Sequence, residues 1–121
     1  MKRNQNLYIL VLSNGNYDGL GKIREKEMEK AAKYMGFKDF HVVDDEGIPD
    51  GPWKWNEDVV IQNIRKHIDN LAKEGIEVSS IVTFDDYGVS GHPNHISTHH
   101  GCMKYYKEAN GKVDLYTLDS V

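Results

Sequence analysis

At 121 residues the chain has room for one small domain, and a domain of that size buries a modest share of its surface. Hydrophobic residues make up 39% and charged residues 28%, a globular balance that excludes disordered and fibrous classes. With a net charge of −4 and a single cysteine, Cys102, the chain offers no basic stripe for nucleic acid and no intramolecular disulfide, and it suits a reducing compartment.

The first expected element is the apolar run Leu7-Tyr8-Ile9-Leu10-Val11-Leu12. It reads as a strand buried on both faces, and it is far shorter than the roughly 20 residues of a membrane-spanning helix. The polar opening Met1-Lys2-Arg3-Asn4-Gln5-Asn6 leads into too short an apolar core for a signal peptide. Residues 13–21 break regular structure with three glycines and two asparagines. A helix follows, with Ile23, Glu27, Ala31 and Met28, Ala32, Met35 at helical spacing, and Gly36 stands where a C-terminal cap belongs.

Phe40-His41-Val42-Val43 predicts a second strand, entering an acidic, breaker-rich loop from Asp44 to Pro52. Asn56 is placed to cap the next helix, Glu57 and Asp58 suit its positive N-terminus, and Val59, Val60, Ile64, Ile68 and Leu71 form its stripe. Gly75 closes that helix. Ser80-Ile81-Val82-Thr83-Phe84 predicts a third strand, a glycine-rich turn follows, and a third helix runs roughly from Asn94 to Glu108. Val113-Asp114-Leu115-Tyr116-Thr117-Leu118 ends the pattern as a fourth strand. The order β-α-β-α-β-α-β with short connections predicts an α/β domain with a parallel sheet, whose functional loops follow the C-terminal ends of the strands.

Four of the six histidines, His92, His95, His99 and His100, fall between positions 92 and 100. Imidazole is the commonest metal-ligating side chain, and a histidine opening a helix after a strand points into a cleft. The bland alternative is a solvated, histidine-rich helix end, and His99 and His100 read as structural. Trp53 and Trp55 flank Lys54 in an exposed-looking loop. Packing of that loop on the core is one reading; contact with a membrane interface or a lipid is the other. Cys102 and Met103 read as core.

Three stretches carry a resemblance. Residues 13–27, beginning Ser13-Asn14-Gly15-Asn16-Tyr17-Asp18-Gly19-Leu20-Gly21, resemble the first shared motif of the eukaryotic N-acetylglucosaminyl-phosphatidylinositol de-N-acetylases (PIG-L/LmbE-like deacetylases). His41-Val42-Val43-Asp44-Asp45 with Pro49-Asp50-Gly51 and Trp55 is similar to a second. Val82-Thr83-Phe84-Asp85-Asp86-Tyr87-Gly88-Val89-Ser90-Gly91-His92-Pro93-Asn94-His95 is similar to a third. A lone His-Pro-Asn-His is a weak signal; three motifs in order are a strong one.

The resemblance implies a hydrolase that removes the acetyl group from N-acetylglucosamine linked to phosphatidylinositol, a step of glycosylphosphatidylinositol-anchor synthesis at the cytoplasmic face of the endoplasmic reticulum. The implied cofactor is zinc, with His95 as a ligand, and the implied fold is a Rossmann-like parallel sheet. His92 is implied to stabilise the oxyanion or protonate the leaving amine. Arg24 would hold the substrate's phosphate, Asp50 sugar hydroxyls, and Asp85 a sugar hydroxyl or a histidine. The implied partner is the glycolipid, not a nucleic acid; a membrane surface, an oligomer or a companion chain stays open.

The family's His-Pro-Asp-Asp-Glu motif, which brings two further zinc ligands and the general base, has no counterpart here. Asp44-Asp45 and Asp85-Asp86 follow other strands and lack a preceding His-Pro. Residues 1–121 are therefore expected to form a single partial domain that lacks the family's first strand. In the family that strand lies between those matching residues 7–12 and 80–84, so both are expected to lose a neighbour. A second reading is an inactive relative that binds the glycolipid or a partner. A third, an unrelated nucleotide binder, is poor: glycines precede the first helix, but no G-x-G-x-x-G follows the strand.

Overall fold

A computed structural model describes residues 6–13, 19–86 and 91–118. Four strands and three helices alternate: β1 (Tyr8–Val11), α1 (Gly21–Tyr34), β2 (Asp39–Val42), α2 (Glu57–Lys73), β3 (Ser80–Phe84), α3 (Pro93–Ala109) and β4 (Asp114–Leu118). The mixed α/β order matches the expected one element for element. The strands pair as two parallel ribbons, β1 with β2 and β3 with β4. Contacts divide the chain into two compact units, residues 1–50 and 51–121.

In the first unit Tyr8 stands opposite Asp39 and Val11 opposite Val42. All four residues of β1 are half-buried, where the apolar run predicted burial on both faces. The physical reason is that β1 pairs with β2 alone among the described strands, so its ribbon has an open side. Helix α1 ends as its sequence predicts. Gly36 takes φ +85°, its N–H reaches the Lys33 carbonyl at 3.1 Å, and the Phe37 N–H reaches the Ala32 carbonyl at 3.0 Å. That paired arrangement satisfies the last carbonyls and needs a left-handed residue at the turn.

In the second unit Asn56 caps α2 by accepting the Asp58 N–H at 2.8 Å. The buried positions of α2 are Val60, Ile61, Ile64 and Leu71; Val59 and Ile68, expected on the stripe, lie half-buried at its edges. Gly75 repeats the ending seen at Gly36, with Ile76 N–H bonded to the Leu71 carbonyl at 2.9 Å. Helix α3 packs on both α2 and the β3–β4 ribbon. Its buried face is Asn94, Ser97, Gly101 and Cys102, which is small and polar where α2 is branched and apolar. A Cβ at Gly101 would run into Cγ1 of Val60, so the two helices meet at that glycine. Cys102 is core, as expected, and burial pushes its thiol pKa up, partly offset by a hydrogen bond with Thr83. Met103 is half-buried.

Candidate functional site

The histidine cluster is built by the strand-to-helix junction of the second unit. β3 ends at Phe84, and His92 is the N-cap of α3 with extended φ/ψ of −66° and 123°. Its imidazole Nδ1 accepts the Asn94 N–H at 3.1 Å, standing in for the serine or aspartate more usual at a cap. Pro93 occupies the first helical turn, where its missing N–H costs nothing. His95 follows one residue past Asn94, at the helix start where it was expected.

The rings form a column. His95 stacks on Phe84 at 4.2 Å between centroids, with planes 11° apart, and His92 stacks on His95 at 4.6 Å and 22°. The third motif's two histidines thus lie together against the last residue of β3. His99 meets the backbone of the same residue: its Nδ1 sits 2.8 Å from the Phe84 carbonyl oxygen. A carbonyl only accepts, so Nδ1 carries the proton and Nε2 keeps the lone pair. For His92 the same logic runs in reverse. Its Nδ1 accepts, so the proton of the neutral ring is on Nε2.

Among the described residues no three His, Cys, Asp or Glu side chains group into a metal cage. The stacked rings of His92 and His95 carry their lone pairs in nearly parallel planes, whereas zinc at about 2.0–2.1 Å from each nitrogen needs ligands that converge. The described residues therefore do not by themselves fit a zinc site.

The other singled-out residues are distributed as follows. Asp85 directly follows β3 and is half-buried in the second unit. Arg24 is exposed on α1, and Asp50 is the half-buried last residue of the first unit. The expected cleft shared with residues 14–21 rests partly on 14–18, which lie outside the described residues, as do 87–90 of the third motif.

Two residues the sequence reading passed over organise this region. Asn94 is 3% exposed and Ser97 4%. Asn94 Oδ1 accepts the Gly51 N–H at 3.2 Å, and its Nδ2 donates to the Trp53 carbonyl at 2.7 Å. Ser97 Oγ accepts the Trp55 N–H at 2.9 Å. The loop 51–55 is thereby bound to the first turns of the histidine helix. Trp55 is buried and Trp53 is not, so the exposed-looking loop is half core. The signal was available in the spacing 94, 97, 101, a helical face written in small and polar residues. A separate cavity of about 470 Å³ is lined by residues that include Asn56, Asp58, His100 and Lys104. It excludes His92 and His95, and its wall carries both signs of charge, Glu57 and Asp58 with Lys104 and Lys107, including the Lys104–Asp58 ion pair at 2.6 Å.

The sequence pattern of PIG-L, described as GlcNAc-PI de-N-acetylase, matches residues 1–106. The chain belongs to that family. It is 43% identical over 118 residues to a probable N-acetylglucosaminyl-phosphatidylinositol de-N-acetylase of Schizosaccharomyces pombe, covering 95% of this chain and 45% of the relative. It is 36% identical over 104 residues to a protein of the same description in Dictyostelium discoideum, covering 84% of this chain and 38% of that one. The N-acetylglucosaminyl-phosphatidylinositol de-N-acetylase of Bos taurus is 32% identical over 122 residues, covering 95% and 46%. The chain thus spans less than half the length of these relatives. No solved structure matches, and no described helix is long and apolar enough to cross a membrane.

Proposed function

We propose that this chain carries the His92–His95 part of the active site of a de-N-acetylase acting on N-acetylglucosaminyl-phosphatidylinositol in anchor biosynthesis. The observation that carries the proposal is the ring column Phe84–His95–His92 at the start of α3, within a chain of the matching family. The reaction adds water across the acetamide: the carbonyl carbon gains an oxygen, the carbon–nitrogen bond breaks, and the amine leaves with a proton. His92, with its cap bond fixing the proton on Nε2, is the group to donate to the oxyanion or the departing nitrogen. The N-terminus of α3 adds a positive partial charge where negative charge develops. Asp85 would orient a histidine or a sugar hydroxyl. Arg24 as a bidentate phosphate ligand and Asp50 as a sugar ligand rest on the resemblance alone.

Zinc belongs to this proposal in one respect: His95 would supply one ligand, and the others would come from outside the described residues. The Rossmann-like sheet lacking its first strand, the single partial domain over 1–121 and the cytoplasmic face of the endoplasmic reticulum are carried by the family resemblance in the same way. A second reading is a relative that binds the glycolipid or a partner without hydrolysing it; what favours it for these 121 residues is that the family's base-bearing His-Pro-Asp-Asp-Glu motif has no counterpart among them.

Acetate release from the glycolipid, zinc content after dialysis against a mild chelator, and binding of the soluble N-acetylglucosaminyl-inositol-phosphate headgroup test both readings together. We expect saturable headgroup binding that is weakened by His92→Ala, with weak zinc retention and no acetate release by residues 1–121. Acetate release would decide for the enzyme reading of the chain taken alone. Absence of headgroup binding would sink both.

A further inference from the structure

The backbone of Trp53 is tied to the start of the histidine helix while its side chain is left half in solvent, and neither fact follows from the proposed chemistry. The Trp53 carbonyl accepts from buried Asn94, the residue just before His95 at the start of α3. Two residues later the chain is fixed again, by Ser97 on the Trp55 N–H and by burial of the Trp55 ring. Gly51, on the near side, has φ +147°, and a Cβ there would overlap the six-membered ring of the Trp53 indole. The indole therefore rests on the glycine backbone. Yet Trp53 is 49% exposed. A large aromatic group held by its backbone and seated on a glycine, with half its surface open, has the form of a contact platform rather than a core residue.

Resting on the de-N-acetylase reading, we propose that Trp53 stacks against the apolar C–H face of the pyranose ring that bears the acetamide. Asn94 joins this platform to the histidines: its side chain holds the 51–53 loop while its backbone N–H holds the His92 ring. A sugar lying on Trp53 is the part of the substrate adjacent to the bond that His92 serves. The acyl chains lie at the far end of the glycolipid, beyond inositol and phosphate, so a platform tied to the histidine helix is assigned to the sugar and not to the lipid. Asn94 and Ser97 are positioning residues; Trp53 is the contact.

The chain's only two tryptophans are Trp53 and Trp55, so fluorescence reads this loop selectively. In a Trp55→Phe variant, titration with the soluble N-acetylglucosaminyl-inositol-phosphate headgroup should change Trp53 emission saturably. Calorimetry on the chain with both tryptophans should show headgroup affinity about tenfold weaker in Trp53→Ala and largely restored in Trp53→Tyr, in line with the worth of one aromatic contact. The calorimetric arm stands by itself if Trp55→Phe does not fold. Equal affinity of the parent chain and Trp53→Ala overturns this inference alone. Emission changes produced equally by phosphatidylinositol vesicles without the sugar overturn it in favour of a lipid contact. If the parent chain does not bind the headgroup at all, this inference falls together with the functional reading.

Discussion

The two compact units are held by different things. In residues 1–50 the buried apolar side chains among the described residues are Leu12, Ala32 and Ile48, while α1 leaves Ile23, Tyr34 and Met35 more than half exposed. Among its described residues β1 pairs with β2 and Gly36 ends α1. In residues 51–121 the buried set is larger and branched: Trp55, Val60, Ile61, Ile64, Leu71, Cys102 and Val113, with α2 and α3 packed together. Rigidity is thus concentrated in residues 51–121. The histidine column and its clamped loop sit on the well-packed unit, which is where a site that needs fixed geometry belongs.

Truncating one isoleucine in each unit puts a number on that contrast. Ile64→Ala removes a side chain that is 4% exposed and should cost about 2–5 kcal/mol in urea unfolding. Ile23→Ala removes one that is 57% exposed and should stay within about 0.5 kcal/mol. A comparable loss at both positions would break the comparison, since it would mean that α1 carries as much packing as α2.

The crossing of α2 and α3 can be probed at one residue. Gly101→Ala pushes a methyl group into Val60 and should destabilise by about 1–3 kcal/mol. Val60→Ala alone loses buried carbon and should also destabilise. The double variant should lose less than the sum of the two, because the new methyl group enters the space the valine vacates. Strictly additive losses in a double-mutant cycle would show that the helices do not meet at Gly101.

These two tests also mark how far the sequence could be read. The order of elements, the cap at Asn56, the endings at Gly36 and Gly75 and the placing of His95 at a helix start were all legible, because each rests on chemistry within a few residues. The resemblance of three motifs gave the family. What stayed hidden was non-local. Asn94, Ser97 and Gly101 look like polar and small residues on an unremarkable helix, until β3, α2 and the 51–55 loop are brought to that face. Ile48 reads as one apolar residue in an acidic loop, yet it is 1% exposed. The β1 run predicted two covered faces; with one described partner strand it has none fully covered. Periodicity measures what an element wants to bury, not whether a partner is there to bury it.

Charge on the second unit should matter least. Asp58 meets Lys104 at 2.6 Å and Glu108 meets Arg65 at 2.5 Å, so two ion pairs join α2 to α3. The hydrogen bonds from Lys104 and Arg65 hold the carboxyls of Asp58 and Glu108 below the ordinary carboxylate range. A carboxyl depressed in the folded state contributes stability that is complete above its unfolded value. That contribution is lost as pH falls through the folded one. Both pairs are solvent-exposed, so their worth is small and screened by salt. Melting temperature followed from pH 7 down to pH 3 at low ionic strength should therefore fall more in the parent chain than in the Asp58→Asn, Glu108→Gln double variant. Raising the salt concentration should narrow the gap. Lys104 and Arg65, raised by the same contacts, remain charged throughout that window and contribute no slope of their own. Parallel acid profiles for the two proteins would mean that the helix pair is held by its apolar and close-packed face alone, which is the stronger form of the contrast between the units.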